Sequence, residues 1–108
     1  MAQPYKRILV IDYETYWSSK DYTLSKMTTE AYIRDQRFKV WGMSYKWFVE
    51  DKIRYLEGSA LTTFLNAIDW STTAVMAQNA QFDAAILAWR YGHHPAFIFD
   101  TLSMGRAL

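Results

Sequence analysis

The chain has 108 residues, and its 12 Lys and Arg residues nearly balance its 11 Asp and Glu residues, which gives a formal charge of +1. That balance excludes a polybasic protein that wraps nucleic acid and an acidic disordered tail. With 51% apolar residues, the sequence predicts one domain over residues 1–108 with a single core. It contains no cysteine and no run of about 18 apolar residues, so we expect an intracellular chain with no membrane partner.

The first half of the chain predicts a central strand followed by a hairpin. Residues 6–12 (KRILVID) form an apolar run between charges, which is typical of a strand buried on both faces of a sheet. A long loop with a short helix follows, with Ser25 or Thr28 as the cap. Residues 38–48 and 53–56 then predict two paired strands. Alternation along the first of these predicts four core residues: Trp41, Met43, Tyr45 and Trp47.

The second half predicts two helices that alternate with two short strands. The first helix is entered through Ser59 as its cap, and a buried strand follows at 73–77. The second helix covers residues 81–91, ends at a glycine and leads into a strand at 97–99. The apolar stripes of the two helices are Leu61, Phe64, Leu65 and Ile68, and then Phe82, Ala85, Ile86 and Trp89. A last helix is predicted over residues 102–108 (LSMGRAL).

This order of elements predicts an α/β fold, in which a mixed sheet carries flanking helices and its parallel strands are joined by helical crossovers. In such sheets the functional residues gather at the carboxyl ends of parallel strands. Residues 12–15 and 79–83 occupy two such positions. We therefore expect a functional site where these two segments meet.

Acidic side chains stand in both segments. Asp12 and Glu14 are two residues apart in a strand, so they point to the same side, roughly 6–7 Å from each other. Their repulsion would be relieved by a hard divalent cation, although two solvated acids at a strand end are the alternative. Asn79 is placed to cap the second helix, and Asp83 lies in its first turn beside the positive end of the helix dipole. These structural roles alone explain both residues without a bound ligand. If the two strands are adjacent and parallel, Asp12, Glu14 and Asp83 converge on a metal ion.

The sequences I-D-Y-E-T at 11–15 and N-A-Q-F-D at 79–83 resemble the first two motifs of DEDD-type 3′-5′ exonucleases, especially the proofreading domain of phage-type family A DNA polymerases. Residues 32–47 and 99–108 are also similar to stretches of that family. The resemblance implies an RNase H-like fold with a mixed five-stranded sheet. It also implies that Asp12, Glu14 and Asp83 are catalytic and hold two Mg²⁺ or Mn²⁺ ions.

The implied reaction is hydrolysis of the 3′-terminal phosphodiester of single-stranded DNA, in the cytoplasm of a bacterial or phage-infected cell. The downstream polymerase region of the parent protein is the implied partner. Asn79, Thr15 and Tyr13 are the implied substrate contacts. Tyr13 also stands with Tyr16 and Trp17 beside the acids, where aromatic faces can stack on unpaired bases. The lysines and arginines are scattered along the chain, and none of them is singled out as a phosphate contact.

One feature of the family is missing from this sequence. The third motif of the family is a Tyr or His followed four residues later by a fourth acid. Asp100 does not fit this motif, because the residue four positions before it is Ala96. We therefore expect the N-terminal part of an exonuclease domain that lacks its C-terminal helices, with little activity alone and with apolar faces that favour self-association. The alternatives are a non-catalytic RNase H-like module that binds nucleic acid or a protein, and a nuclease that cleaves RNA in hybrids.

Overall fold

A computed structural model describes residues 5–101, in which five strands and three helices are formed. In chain order the elements are β1 (Arg7–Thr15), α1 (Thr29–Arg34), β2 (Val40–Trp47), β3 (Arg54–Leu56), α2 (Gly58–Asn66), β4 (Thr73–Ala77), α3 (Ala80–Tyr91) and β5 (Phe97–Asp100). The predicted α/β class, with a mixed five-stranded sheet and flanking helices, is confirmed. The helix predicted over residues 102–108 lies outside the described residues. Within residues 5–101, no helix combines the length and the apolar character needed to cross a membrane.

The sheet has the strand order β3-β2-β1-β4-β5, so β1 is central, as its apolar run predicts. β2 runs antiparallel to β1, and β3 runs antiparallel to β2. β4 runs parallel to β1, and β5 runs parallel to β4. Leu9 lies opposite Trp47 of β2 and opposite Val75 of β4, which fixes the register of the three central strands. The carboxyl ends of β1, β4 and β5 therefore meet at one edge of the sheet, which we call the carboxyl edge.

The helices pack on one face of the sheet. Leu9, Ile11 and Tyr13 alternate along β1 onto this face, and all three are buried. Tyr45 of β2 packs against Phe64 of α2, with ring centroids 4.3 Å apart. Buried residues from the two longer helices complete the core: Leu61, Leu65, Ile86 and Leu87. The predicted stripes thus face the sheet through residues such as Leu61, Leu65 and Ile86, whereas the inclusion of Trp89 in the second stripe is wrong, since Trp89 is 42% exposed.

The start of α1 and the end of α3 follow local capping rules, whereas the start of α2 does not. Thr28 caps α1, since the backbone N–H three residues later donates to its hydroxyl at 3.1 Å. α3 ends at Gly92, whose φ of 74° lies in the left-handed region that favours glycine. α2 begins at Gly58 with Glu57 as the cap residue and no side-chain capping bond, so the prediction of Ser59 as the cap is wrong. Gly58 takes a φ of 59°, and the chain enters the helix before it reaches Ser59.

The second face of the sheet is only partly covered by residues 5–101. Ile8 and Val10 are half-buried and Asp12 is exposed on this face, so the prediction that the central strand is buried on both faces is wrong. The reason is that the helices pack on the other face. Phe97 of β5 extends the uncovered face and is 46% exposed. Apolar side chains on this face are therefore accessible to other molecules.

The prediction that Trp41 belongs to the core is also wrong, since its side chain is 48% exposed. Glu14 pairs with Gly42 and Thr15 pairs with Val40, so Trp41 is the extra residue of a β-bulge between β1 and β2. A bulge breaks the alternation of side chains and turns the strand locally. The period-two pattern therefore fails at this one position, while Met43 and Tyr45 are buried as predicted.

We predict that the protein self-associates through the partly covered second face of the sheet, on which Ile8, Val10 and Phe97 lie. Phe97→Glu places a charge on that face and should lower the apparent mass measured by light scattering at high protein concentration. Ile98→Glu is the matched control, because Ile98 is 43% exposed but lies opposite Val75, on the helix side of the sheet. A monodisperse wild-type monomer at every concentration, or equal effects of the two substitutions, would contradict this prediction.

Candidate functional site

The two acidic segments meet at the carboxyl edge, as their positions after parallel strands predict. β1 and β4 are hydrogen-bonded neighbours, with Val10 opposite Met76, and both segments follow that pair. Between them lies a cleft of about 360 Å³. The cleft is lined by Val10, Ile11, Asp12, Tyr13, Ala77, Gln78, Asn79, Phe82, Asp83 and Thr101. The structure thus places Asp12, Asn79 and Asp83 in one depression of the surface.

Asp83 is the buried acid of this cleft, with 4% of its surface exposed. It lies in the first turn of α3, and its Oδ1 accepts a hydrogen bond from the backbone N–H of Tyr13 at 3.3 Å. The pKa of Asp83 is raised from 3.8 to about 7, mainly by burial and to a smaller extent by the negative charges of Asp12 and Asp100, while the Tyr13 hydrogen bond opposes the rise. Near pH 7 this carboxyl group is therefore partly protonated.

Asp12 and Glu14 lie on the same face of β1, and both are exposed. Asp12 lines the cleft, whereas Glu14 does not. Glu14 stands opposite Gly42 of β2, where the Tyr55 side chain fills the space that a Cβ atom would need. Across the described part of the chain, no three acidic or histidine side chains are grouped so that they could hold a metal ion. The structure therefore brings together Asp12 and Asp83 but does not place Glu14 with them.

Asn79 occupies the cap position of α3, but its side chain makes no capping hydrogen bond. The prediction that its side chain caps the helix is therefore wrong. Its backbone carbonyl accepts from the N–H groups of Phe82 and Asp83, each at 3.1 Å, which begins the helix without help from the side chain. The exposed amide of Asn79 lines the cleft beside the two carboxylates. It is thus placed to contact a molecule bound there.

The ring of Tyr13 does not face a substrate. Its side chain is 5% exposed and stacks on Tyr91 of α3, with ring centroids 6.1 Å apart. Alternation along β1 sends Tyr13 into the core while its neighbours Asp12 and Glu14 point outward. Stacking of this ring on a base, as expected from its position beside the acids, is therefore not possible in this structure. What Tyr13 contributes is the backbone N–H that binds Asp83.

Thr15 belongs to a second cavity, of about 260 Å³, next to the cleft. Its hydroxyl oxygen lies 3.0 Å from the hydroxyl oxygen of Tyr32. Trp17, which is 64% exposed, lines the same cavity. Phe82 lines both this cavity and the acidic cleft, so the two are neighbours. Thr15 is thus close to the site through Phe82 but does not line the acidic cleft itself.

Asp100 is a residue of this edge that the sequence argument set aside. It ends β5 opposite Ala77, and its charge contributes to the raised pKa of Asp83 after burial and the charge of Asp12. The rule that placed Asp12 at the edge, an acid at the carboxyl end of a parallel strand, also applies to Asp100. The sequence analysis considered Asp100 only as a candidate for the acid of the third motif, and so did not apply this rule to it.

The donor set is compatible with a hard divalent cation. Two carboxylate residues, Asp12 and Asp83, and two amide residues, Gln78 and Asn79, line the cleft, and oxygen donors of this kind are those that Mg²⁺ and Mn²⁺ prefer. The charges of Asp12 and Asp100 both disfavour ionised Asp83, and a cation in the cleft would remove that cost. Without a cation, Asp83 can act as a proton donor or acceptor near pH 7.

Comparison of the chain with protein-family models, with curated proteins and with solved structures finds no match. The function is therefore argued from the residues of this chain and from their geometry.

We predict that Asp83→Asn stabilises the metal-free protein at high pH. The folded-state pKa of about 7 exceeds the ordinary value of 3.8, so the native state binds this proton more tightly than the unfolded state. The free energy of unfolding of the wild type should then fall as pH rises from 3.8 to about 7. Asparagine keeps an oxygen for the Tyr13 N–H and has no charge, so the variant should be more stable by on the order of a few kcal/mol above that range.

The measurement is urea unfolding of both proteins from pH 4 to pH 8 in a chelator. The advantage of the variant should vanish at the acidic end. Asp69→Asn is the control of opposite sign, because the Ser71 hydroxyl bond lowers the pKa of Asp69 and that substitution should destabilise the protein at neutral pH. If Asp83→Asn is no more stable than the wild type at pH 8, then ionisation of the buried Asp83 carboxylate does not destabilise the folded protein as inferred.

Proposed function

We propose that this chain is the N-terminal part of a DEDD-type 3′-5′ exonuclease domain with an RNase H-like fold, from a phage-type family A DNA polymerase. The observation that carries the proposal is that Asp12 and Asp83, from the two motifs, line one cleft at the ends of adjacent parallel strands. A mixed five-stranded sheet with helices is also what the proposed family requires.

In this proposal the cleft holds the metal ions through Asp12 and Asp83, with Glu14 as the third acid on the outward face of β1. When bound, Mg²⁺ or Mn²⁺ ions lower the pKa of an attacking water and stabilise the leaving 3′ oxygen. Asp83 is held in place by the Tyr13 N–H, and Asn79 contacts the backbone of the DNA strand. The product is a nucleoside 5′-monophosphate released from the 3′ end of single-stranded DNA.

A second candidate is a non-catalytic RNase H-like module that binds nucleic acid or a protein. It is favoured by one specific observation, namely that the described residues do not group three metal-binding side chains. The two candidates differ in whether an added third motif can restore hydrolysis.

We predict that the 108-residue chain alone shortens single-stranded DNA at most in trace amounts. Two-metal hydrolysis depends on holding the ions and the water in one geometry, and a displacement of about 1 Å costs roughly a hundredfold in rate. The assay follows a 5′-labelled oligonucleotide in Mg²⁺ and in Mn²⁺, with Asp12→Ala as the control for contaminating nucleases. Addition of a separately expressed segment that carries the third motif should restore stepwise shortening from the 3′ end.

Two results would contradict parts of this proposal. Strong shortening by the chain alone, abolished by Asp12→Ala, would show that the fourth ligand is already present. Absence of shortening with the added segment, under conditions in which the two pieces associate, would exclude the exonuclease and leave the binding module.

A further inference from the structure

A groove of about 250 Å³ lies at the end of the sheet opposite the carboxyl edge, where β1 begins and β2 ends. We call it the amino-edge groove and define it by six residues that line it: Lys6, Arg7, Trp47, Phe48, Val49 and Glu50. Arg7 alternates with Ile8 along β1, and both residues line the groove. Since Ile8 lies on the second face of the sheet, the groove extends across this end of the sheet from one face to the other.

Arg7 is the group of this groove that can bind an anion. Its guanidinium carbon lies 3.5 Å from the centroid of the Trp47 ring, and Trp47 packs against Phe64 of α2 with centroids 6.3 Å apart. Stacking occupies a face of the planar guanidinium and leaves the N–H donors in its plane free. Within residues 5–101 this guanidinium forms no ion pair and no hydrogen bond. Trp47 therefore positions a set of donors that have no partner in the described chain.

The acid that lines the groove is already paired. Glu50 accepts a hydrogen bond from the guanidinium of Arg54 at 2.9 Å, and its backbone carbonyl accepts one from Nζ of Lys46 at 2.9 Å. Residues 1–4 and 102–108 contain no Asp or Glu. We therefore expect the acid that binds the donors of Arg7 to come from another molecule.

Lys6 adds a second positive charge to the groove. It is exposed and takes part in none of the ion pairs formed within residues 5–101. The pKa of Asp69 is lowered mainly by a hydrogen bond from Ser71, and the charge of Lys6 makes a smaller contribution, so Lys6 has one acid in its surroundings. Lys6 thus raises the positive potential of the groove, whereas Arg7 supplies the free donors.

Exposed apolar side chains form the rim of the groove. Phe48 and Val49 directly follow β2, and they are 53% and 91% exposed. The backbone N–H of Phe48 donates to the carbonyl of Ile8 at 2.9 Å, which holds this turn against β1. A molecule that covers the rim would be stabilised by removing this apolar surface from water.

We propose that the amino-edge groove binds a segment of another protein in which a carboxylate side chain is flanked by apolar side chains. The carboxylate binds the in-plane donors of Arg7, and the apolar side chains cover Phe48 and Val49. A small inorganic anion would match Arg7 but would leave the rim in water. A nucleic acid requires a row of cations, whereas this groove has two, and they lie beside an acid.

This inference does not rest on the proposed exonuclease function. The groove lies where β1 begins, whereas Asp12 lies toward the carboxyl end of the same strand. Binding there needs neither a metal ion nor the acidic cleft, so all measurements can be made in EDTA.

The test is fluorescence anisotropy of the dye-labelled peptide Gly-Leu-Glu-Phe-Glu-Leu-Gly, titrated with the full chain. The matched probe is the same peptide with Gln in place of each Glu, and it should bind about tenfold more weakly or worse, because a charged partner strengthens a hydrogen bond. Arg7→Gln should weaken binding of the acidic peptide by a similar factor. Arg7→Lys should recover only part of this loss, because an ammonium group keeps the charge but lacks the paired donors.

Two further variants separate the groove from general effects. Val49→Ser should weaken binding by about threefold, because it removes apolar surface from the rim, and a residue that is 91% exposed can be replaced without disturbing the core. Arg34→Gln is the matched control and should leave the affinity unchanged. It removes another guanidinium that lies over a tryptophan, 4.8 Å from the ring centroid of Trp89, but Arg34 is paired with Glu30.

Several results would overturn the inference. They are a Kd for the acidic peptide weaker than about 1 mM, equal binding of the two peptides, or equal losses in Arg7→Gln and Arg34→Gln. Arg7-dependent binding of an oligothymidylate or of phosphatidylserine vesicles that exceeds binding of the peptide would overturn the assignment to a protein partner. If urea unfolding shows that Arg7→Gln does not fold, Val49→Ser and the Gln peptide decide the question.

Discussion

The hydrogen bond from the Tyr13 N–H to the buried carboxylate of Asp83 joins the first turn of α3 to the central strand, at 3.3 Å. It exists only because β1 and β4 are parallel neighbours, so that the chain leaving β4 enters α3 beside the end of β1. The same contact brings a carboxylate that is 4% exposed toward the charges of Asp12 and Asp100. The cleft, the raised pKa of Asp83 and the candidate cation site all follow from this one arrangement.

Much of the fold could be predicted because it depends on local patterns. The apolar run of β1 and the stripe that includes Leu61 and Leu65 were sufficient to place the central strand and α2. The predictions that failed depend on what surrounds an element. Burial of β1 on both faces requires a second layer, which residues 5–101 do not provide. Exposure of Trp41 depends on a bulge between two strands, and the start of α2 depends on the positive φ of Gly58.

The same distinction applies to the candidate site. The rule that function gathers at the ends of parallel strands was enough to place Asp12 and Asp83 together. It did not show that Tyr13 turns into the core, although the alternation along β1 contained that information. The contact between Arg90 and Phe38 could not be predicted, because the two residues meet only when α3 packs beside the segment before β2. Residues distant in sequence carry no local signal of such a meeting.

The central claim is that Asp12 and Asp83 act as one cation-binding site, and thermal unfolding in Mg²⁺ or Mn²⁺ tests it most directly. The titration is made above the pKa of Asp83, about 7, where the Asp83 carboxylate is ionised. A cation that binds only the native state raises the free energy of unfolding by about 2.7 kcal/mol when its concentration is a hundredfold above its Kd. We expect the melting temperature to rise with cation concentration in the wild type and in Asp51→Asn, whose exposed acid lies in the β2–β3 connection, but not in Asp12→Asn. A wild-type melting temperature that does not change with cation concentration, or one that rises equally in Asp12→Asn, would contradict the account.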